Sequence, residues 1–504
     1  MKFFLCFFFL FSLNAEQRPN FIFLLADDRR ADAMSCAGDP IIKTPHLDSL
    51  AADGQRFSHA YTAAPICKPS RVCFFLGQHQ RTHGVGFATS KKMDEQQWSN
   101  SYPELLRNAG YYTGFIGKFG VDSYTFKGQA DEKFDFWRAH DGWSKFFPKQ
   151  RENTQVYKKY QSDIITEIMG ECISEFFDSR DQDKPFCLSV SFSAPHASTS
   201  TSMVQDGGWF MDKAANNNPK LKGHAIYDKM YRDVKWLKAA IKNAEAAQHI
   251  PLNVMNSEHG RKKVYAYSYR QESFEEYNIR YAQLISGVDH QVGLLRQRLQ
   301  KEGLNKNTII IYSSDNGLLR GDYGMGGKGL IYDATAKIPF IVYNPLLPES
   351  RAGIVNESLL ISIDLAATLL DYAGVAKPKS IQGESFKGIL EGQSTGREQV
   401  LLESLFTLRG NPMAEGLRKG RWKYVRFFRM EAHTELLQET RERYDFRYDM
   451  KAIDFASPAI YEQLFDVEKD PSEVKNLATN PEYQSVLQEM RKLNKEESTQ
   501  LSHE

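Results

Sequence analysis

The chain lacks an excess of charge of either sign. Its 64 Lys and Arg against 63 Asp and Glu leave +1 over 504 residues. Residues 1–15 carry Lys2 and no acid, so the remainder sums to zero. Nucleic-acid binders usually show a basic excess, and its absence sets that class aside. Beyond the first thirteen residues no stretch approaches the roughly eighteen uninterrupted apolar residues of a membrane-spanning helix, which excludes stable membrane insertion. Cysteine is scarce, with six residues and no Cys-x-x-Cys pair, so a cysteine-built zinc site is excluded. There is no internal repeat or low-complexity tract. Hydrophobic residues at 41% and charged residues at 25% are ordinary globular usage, which rules out a disordered, collagenous or multi-span chain.

The most distinctive apolar run opens the chain. Met1-Lys2 precedes an apolar segment from Phe3 to Leu13, closed by Asn14-Ala15-Glu16. One positive charge, a short apolar core and a small residue at the end read as a signal peptide over residues 1–15. The expected destination is a periplasmic, extracellular or lysosomal-type lumen. Cys6 leaves with that segment, and Cys36, Cys67, Cys73, Cys172 and Cys187 remain. Five is an odd number for an oxidising compartment, so one is unpaired or chemically special. Cys172 with Cys187 and Cys36 with Cys73 is one of three pairings open to the other four.

Downstream, continuous apolar runs alternate with helical patterns. Phe21–Ala26, Phe186–Phe192, Thr308–Tyr312 and Ile338–Tyr343 read as buried strands. Residues 281–301 and 359–373 carry amphipathic helical spacing. The expected fold class is α/β, with a large mixed, mostly parallel sheet sandwiched by helices and a smaller C-terminal α+β subdomain. A catalytic domain is expected over 16–395. The polar stretch 197–278 reads as an insertion over the site, and 396–504 as the C-terminal subdomain. Within the insertion Trp209, Tyr227, Tyr231, Trp236, Tyr265, Tyr267 and Tyr269 serve equally well as sugar-stacking surfaces or as local core.

Ligands collect at the carboxyl ends of parallel strands, and three strands end in reactive residues. Asp27-Asp28 follows the first, Pro195-His196 the second and Asp315-Asn316 the third. Each acidic pair alone could cap a helix. Together they offer only oxygen ligands, which suit Ca²⁺ or Mg²⁺ and disfavour zinc. Pro65-Ile66-Cys67-Lys68-Pro69-Ser70-Arg71 reads as a loop entering a helix, where backbone N–H groups and Arg71 favour an anion beside the thiol.

These elements resemble the type I sulfatases of the alkaline-phosphatase superfamily. Cys67-Lys68-Pro69-Ser70-Arg71 is similar to the signature Cys-x-Pro-Ser-Arg, in which the Cys becomes formylglycine. The segments from Thr44 to Ala51, Gly117-Lys118, Pro195-His196, Ser314–Gly317, Gly327-Lys328 and Leu464–Leu477 match further family elements in order. The resemblance implies an alkaline-phosphatase-like fold and an exported sulfatase acting on a sulfated carbohydrate or other sulfate ester. It implies Ca²⁺, in preference to Mg²⁺, held by Asp27, Asp28, Asp315 and Asn316 with the modified Cys67. Arg71, Lys118, His196 and Lys328 would surround the sulfate. A formylglycine-generating enzyme is the implied maturation partner. Hydration of the aldehyde would give a geminal diol; one hydroxyl attacks sulfur, and the other loses its proton as sulfate leaves. Two alternatives stand beside this reading: a phosphoester or phosphonate hydrolase of the same superfamily, and a non-catalytic glycan-binding relic.

Two departures from the family pattern stand out. After Gly117-Lys118 the family often has an aromatic and then a His, whereas this chain reads Phe119-Gly120-Val121. The base for sulfate release is therefore unassigned. Leu76-Gly77 also stands where Thr-Gly is usual.

Overall fold

A computed structural model describes residues 18–503 apart from 88, 123–129, 204–217, 237–267, 269–270, 406–412 and 429–448. The expected signal segment lies outside the described residues, as does much of the expected insertion, with Trp209, Tyr265, Tyr267 and Tyr269.

The run at 21–26 forms β1 (Asn20–Ala26), buried along its whole length. The other strands of the main sheet are β2 (Gln55–Tyr61), β3 (Tyr112–Lys118), β4 (Phe136–His140), β5 (Phe186–Ser191) and β6 (Thr308–Ser314). A short hairpin of β7 (Leu319–Arg320) and β8 (Gly326–Gly327) intervenes before β9 (Phe340–Tyr343) and β10 (Ile354–Ile361) complete it. The sheet runs in the order β10-β2-β9-β6-β1-β5-β3-β4. It is parallel except where β9 pairs antiparallel with β2 and β6. Alternation along β1 explains why its run is apolar throughout. Phe21, Phe23 and Leu25 pack on one face with Phe74, Phe75 and Phe115. Ile22 and Leu24 pack on the other, with Ile168 and Met169 of the helix Ile165–Ser179 and Leu284 and Val288 of the helix Gln271–Lys301.

A second, antiparallel sheet follows: β11 (Gln399–Ser404), β12 (Met413–Lys419), β13 (Trp422–Phe428) and β14 (Tyr461–Asp466), in that order. The helix Gln484–His503 covers it through Leu487 and Met490. Arg81, of the short helix Gln80–His83, ties that helix to this sheet. It pairs with Glu403 of β11, donates to Glu415 of β12 at 2.6 Å and to Ser498 Oγ of the last helix at 2.6 Å. No helix among the described residues is long and apolar enough to cross a membrane.

Several local expectations change. The run at 338–343 forms a strand only from Phe340, because Pro339 has no N–H to donate, and that strand is antiparallel to its neighbours. The helix expected over 359–373 is confined to Asp364–Tyr372; Leu359, Leu360 and Ile361 instead pair with β2. All five described cysteines are free thiols. Cys172 and Cys187 lie in the cores on opposite faces of the main sheet, so the proposed pair cannot meet. Tyr227 and Tyr231 are buried core residues rather than an open stacking surface.

One buried histidine gives the fold a pH signature. His83 accepts a hydrogen bond from Val85 N at 3.0 Å and sets Nε2 3.4 Å from Cys73 Sγ. Burial, with help from Lys91 and His79, lowers its pKa to about 3. In the unfolded chain the imidazole takes up a proton below about 6.5. The stability linked to His83 is therefore fully present above that pH and lost as pH falls toward 3. By pH 5 the loss is about 2 kcal/mol. Thermal melts at pH 7 and pH 5 check this: wild type should lose that much more than His83→Asn, and equal losses would contradict it.

Candidate active site

Four strand ends and one helix start build the site. β1 delivers Asp27 and Asp28, β6 delivers Asp315 and Asn316, β3 ends in Lys118, and the segment after β5 carries His196. Helix α1 (Cys67–Leu76) starts at the same place, with Cys67 at its first position and Arg71 one turn on. All nine residues singled out from the sequence converge here, and only His196 is more than slightly exposed.

Cys67 Sγ lies 3.4 Å from Asp27 Oδ1, 3.9 Å from Asp28 Oδ1 and 2.6 Å from Lys328 Nζ. Lys328 also pairs with Asp28 Oδ1, and Lys118 with Asp27 Oδ2. Arg71 donates through Nε and Nη2 to Asp315 Oδ2 at 3.0 and 2.8 Å, and through Nη1 to Lys118 O at 2.8 Å and Ser191 Oγ at 2.5 Å. Asp315 Oδ1 accepts from Asp28 N at 3.1 Å. Ser70 Oγ donates to Asp315 O at 2.5 Å.

Two glycines permit this packing. Gly117 has φ of +93°, and a Cβ there would lie 2.0 Å from Ser191 O. Gly120 has φ of +77°, and its Cβ would meet Arg71 Cδ at 2.7 Å. Gly120 stands where the family resemblance places a histidine; here the Arg71 side chain takes up that space.

Burial raises the pKa of Asp27, but Lys118, His196, Arg71 and Lys328 outweigh it and hold the carboxyl well below its usual range. Burial and the charge of Asp27 instead push Asp315 up to about 6, against Arg71. The Cys67 thiol is pushed far up by burial and by Asp27, so the unmodified residue is a poor nucleophile at neutral pH.

Oxygen ligands for a cation are present. Ligand atoms of Asp27, Asp28, Cys67 and His196 lie within 4.8 Å of one another. Asp28 Oδ2 and Asn316 Oδ1 are buried without a hydrogen-bond partner. Such acceptors are costly unless a positive group meets them. His196 is a poor ligand in this arrangement. Its Nδ1 accepts from Ser198 N at 3.1 Å and sits 2.8 Å from Ser198 Oγ. That network assigns the proton to Nε2, which then faces the site as a donor. Burial lowers the His196 pKa to about 4, so the ring is neutral. What remains is a hard-oxygen set, which fits Ca²⁺ or Mg²⁺ better than zinc.

Sequence reasoning missed Ser191, which holds Arg71, and His140, which ends β4 beside Lys118. Ser191 lies inside a run that reads as a strand, whereas nothing in the sequence marks His140 as a strand end.

Comparison with known proteins gives the family. The sulfatase family model matches residues 19–375, and a model described as N-sulphoglucosamine sulphohydrolase, C-terminal, matches 321–447. The chain is 28% identical to an N-acetylglucosamine-6-O-sulfatase of Bacteroides thetaiotaomicron, over 96% of this chain and 87% of that protein. It is 27% identical to an arylsulfatase of Clostridium perfringens, over 94% and 93%. A solved structure of BT4656 in complex with its substrate D-glucosamine-2-N,6-O-disulfate superposes with a TM-score of 0.66 at 23% identity, covering 97% of this chain and 99% of the other. The chain belongs to the sulfatase family of the alkaline-phosphatase superfamily and is a sulfuric ester hydrolase.

Proposed function

We propose that the protein is an exported, Ca²⁺-dependent sulfatase that removes sulfate from a carbohydrate through a formylglycine made from Cys67. The observation that carries this reading is the placement of Cys67 Sγ between Asp27, Asp28 and Lys328 at the strand ends. A thiol so deeply buried and so hard to ionise has little use as a thiol, whereas an aldehyde needs no ionisation. Maturation requires the formylglycine-generating enzyme implied by the signature Cys67-Lys68-Pro69-Ser70-Arg71.

The carboxylates Asp27, Asp28 and Asp315 with Asn316 would hold the cation. When bound, it supplies fixed positive charge against the nucleophilic hydroxyl and the sulfate oxygens. The chain's own residues do the rest. Three carboxylates face three cations, Arg71, Lys118 and Lys328, so the cluster alone is neutral. A divalent ion would leave it at about +2, which suits a compact anion in a site from which water is excluded. Lys118 and Lys328 sit where they can move from carboxylate to sulfate. His196, neutral with its proton on Nε2, can donate a hydrogen bond to the departing alcohol oxygen and stabilise its developing charge.

The names of two similar proteins, an N-acetylglucosamine-6-O-sulfatase and a protein bound to a 2-N,6-O-disulfated glucosamine, support a 6-O-sulfated glucosamine residue as substrate. A panel of sulfated monosaccharides tests this. N-acetylglucosamine-6-sulfate should turn over at least about tenfold faster than 2-O- or N-sulfated analogues, a difference of about 1.4 kcal/mol. A preference for a matched phosphate ester would favour phosphoester hydrolysis instead. Sugar binding without sulfate release would indicate a relic.

A further inference from the structure

The proposed reaction needs a proton acceptor for its second half, and no side chain stands at Gly120 to provide one. His140 is the buried titratable group beside the site that has no role so far. It closes β4, in register with Lys118 of β3, and is 3% exposed. Its two ring nitrogens are distinguished by their partners. Nδ1 lies 2.7 Å from Tyr157 Oη. Tyr157 Oη also lies 3.3 Å from Arg138 O, and where it donates its proton there it accepts from His140. In that arrangement the proton of the neutral ring is on Nδ1, and Nε2 presents a lone pair. That lone pair faces Ser193 Oγ at 3.4 Å, a long contact of the kind that tightens when substrate is bound.

Ser193 belongs to the segment that carries the site. The next residue, Ala194, accepts from Asp27 N at 3.2 Å, and Ser193 O accepts from His196 N at 3.0 Å. The charged groups acting on His140 are Lys118, Arg71, Asp27 and Arg151; burial and the cations keep the ring neutral. With Tyr157 donating to Arg138 O, the two histidines carry opposite tautomers. His196 presents an N–H donor, and His140 presents an acceptor.

We propose that His140, acting through Ser193, accepts the proton that lets sulfate leave. This rests on the formylglycine reading above. Once the ester sulfur has been transferred to one hydroxyl of the diol at position 67, the other hydroxyl gives its proton to Ser193 Oγ. The Ser193 proton passes to His140 Nε2. The freed electron pair forms the C=O bond, the carbon–oxygen bond to sulfate breaks, and sulfate departs with that bond's electrons. The proton then returns from His140 to solvent by the same hydroxyl, and water rehydrates the aldehyde.

Intact mass and pre-steady-state kinetics of His140→Gln and Ser193→Ala test the relay. Blocking release should leave a burst of about one alcohol per site, cut steady turnover roughly 100-fold, and build up a sulfated diol at the position-67 peptide, about 98 Da heavier than the aldehyde form and about 80 Da heavier than its hydrate. A merely structural role would depress burst and turnover together with no adduct. That outcome, or turnover within about threefold of wild type, overturns the proposal. If His140→Gln is insoluble, Ser193→Ala decides by the same readouts. The wild-type peptide is weighed first. An active wild type that keeps its thiol sinks the formylglycine reading, whereas a converted wild type whose variants trap nothing sinks only the role of His140.

Discussion

Cys67→Ala will abolish sulfate release, lowering turnover by at least about 10⁴-fold, while the protein still folds. The side chain is small, and its loss from the first position of α1 leaves Lys328 paired with Asp28, so the stability cost should stay near 1 kcal/mol. Cys67→Ser gives a sharper result. Serine offers one hydroxyl, so a sulfate ester formed on it has no second hydroxyl to expel it. At most one turnover per site is expected, measured as alcohol released against enzyme concentration. Multiple turnovers by either variant would show that the nucleophile lies elsewhere.

Asp315→Ala carries the second large effect, on stability as well as rate. Asp315 Oδ2 receives two hydrogen bonds from Arg71, and Oδ1 receives the Asp28 amide. Without the carboxylate, Arg71 is left with Asp27 at 3.7 Å as its remaining carboxylate partner in a buried site. Removing one partner of a buried pair costs about 3–5 kcal/mol. A drop of that size in denaturant melts is expected, with sulfate release reduced by at least about 10³-fold. Asp315→Asn keeps an acceptor for the Asp28 amide, but its amide nitrogen then faces the Arg71 donors, so part of the stability loss persists; with negative charge also removed from the cation site, its activity should remain low. Full activity in Asp315→Asn would remove that carboxylate from the proposed ligand set.

The reach of the sequence follows from burial. β1, β5 and β6 are central parallel strands covered on both faces, so each reads as an unbroken apolar run and its end marks the site. That is how Asp27, Asp28, Asp315 and Asn316 could be found as a group. β2 has the sequence Gln55-Arg56-Phe57-Ser58-His59-Ala60-Tyr61, half-buried in places, and gives no such run. β4 is an edge strand with Trp137 and Arg138 partly exposed, so nothing marked it as a strand or His140 as its end. The boundary between β10 and the helix Asp364–Tyr372 was hidden because Leu360 and Ile363 fit both periods; hydrogen bonding to β2 decided it. The absence of a histidine after Lys118 was visible, but its physical reason was not. Only the structure shows Arg71 lying against Gly120.

The central claim is that residue 67 works as an aldehyde, and its mass decides this most directly. Protein recovered from an exporting host that carries the maturation enzyme, and shown to release sulfate, is digested and the peptide containing position 67 is weighed. A peptide about 18 Da lighter than the cysteine form is expected, the change from thiol to aldehyde. An active enzyme whose peptide retains the full thiol mass would contradict it.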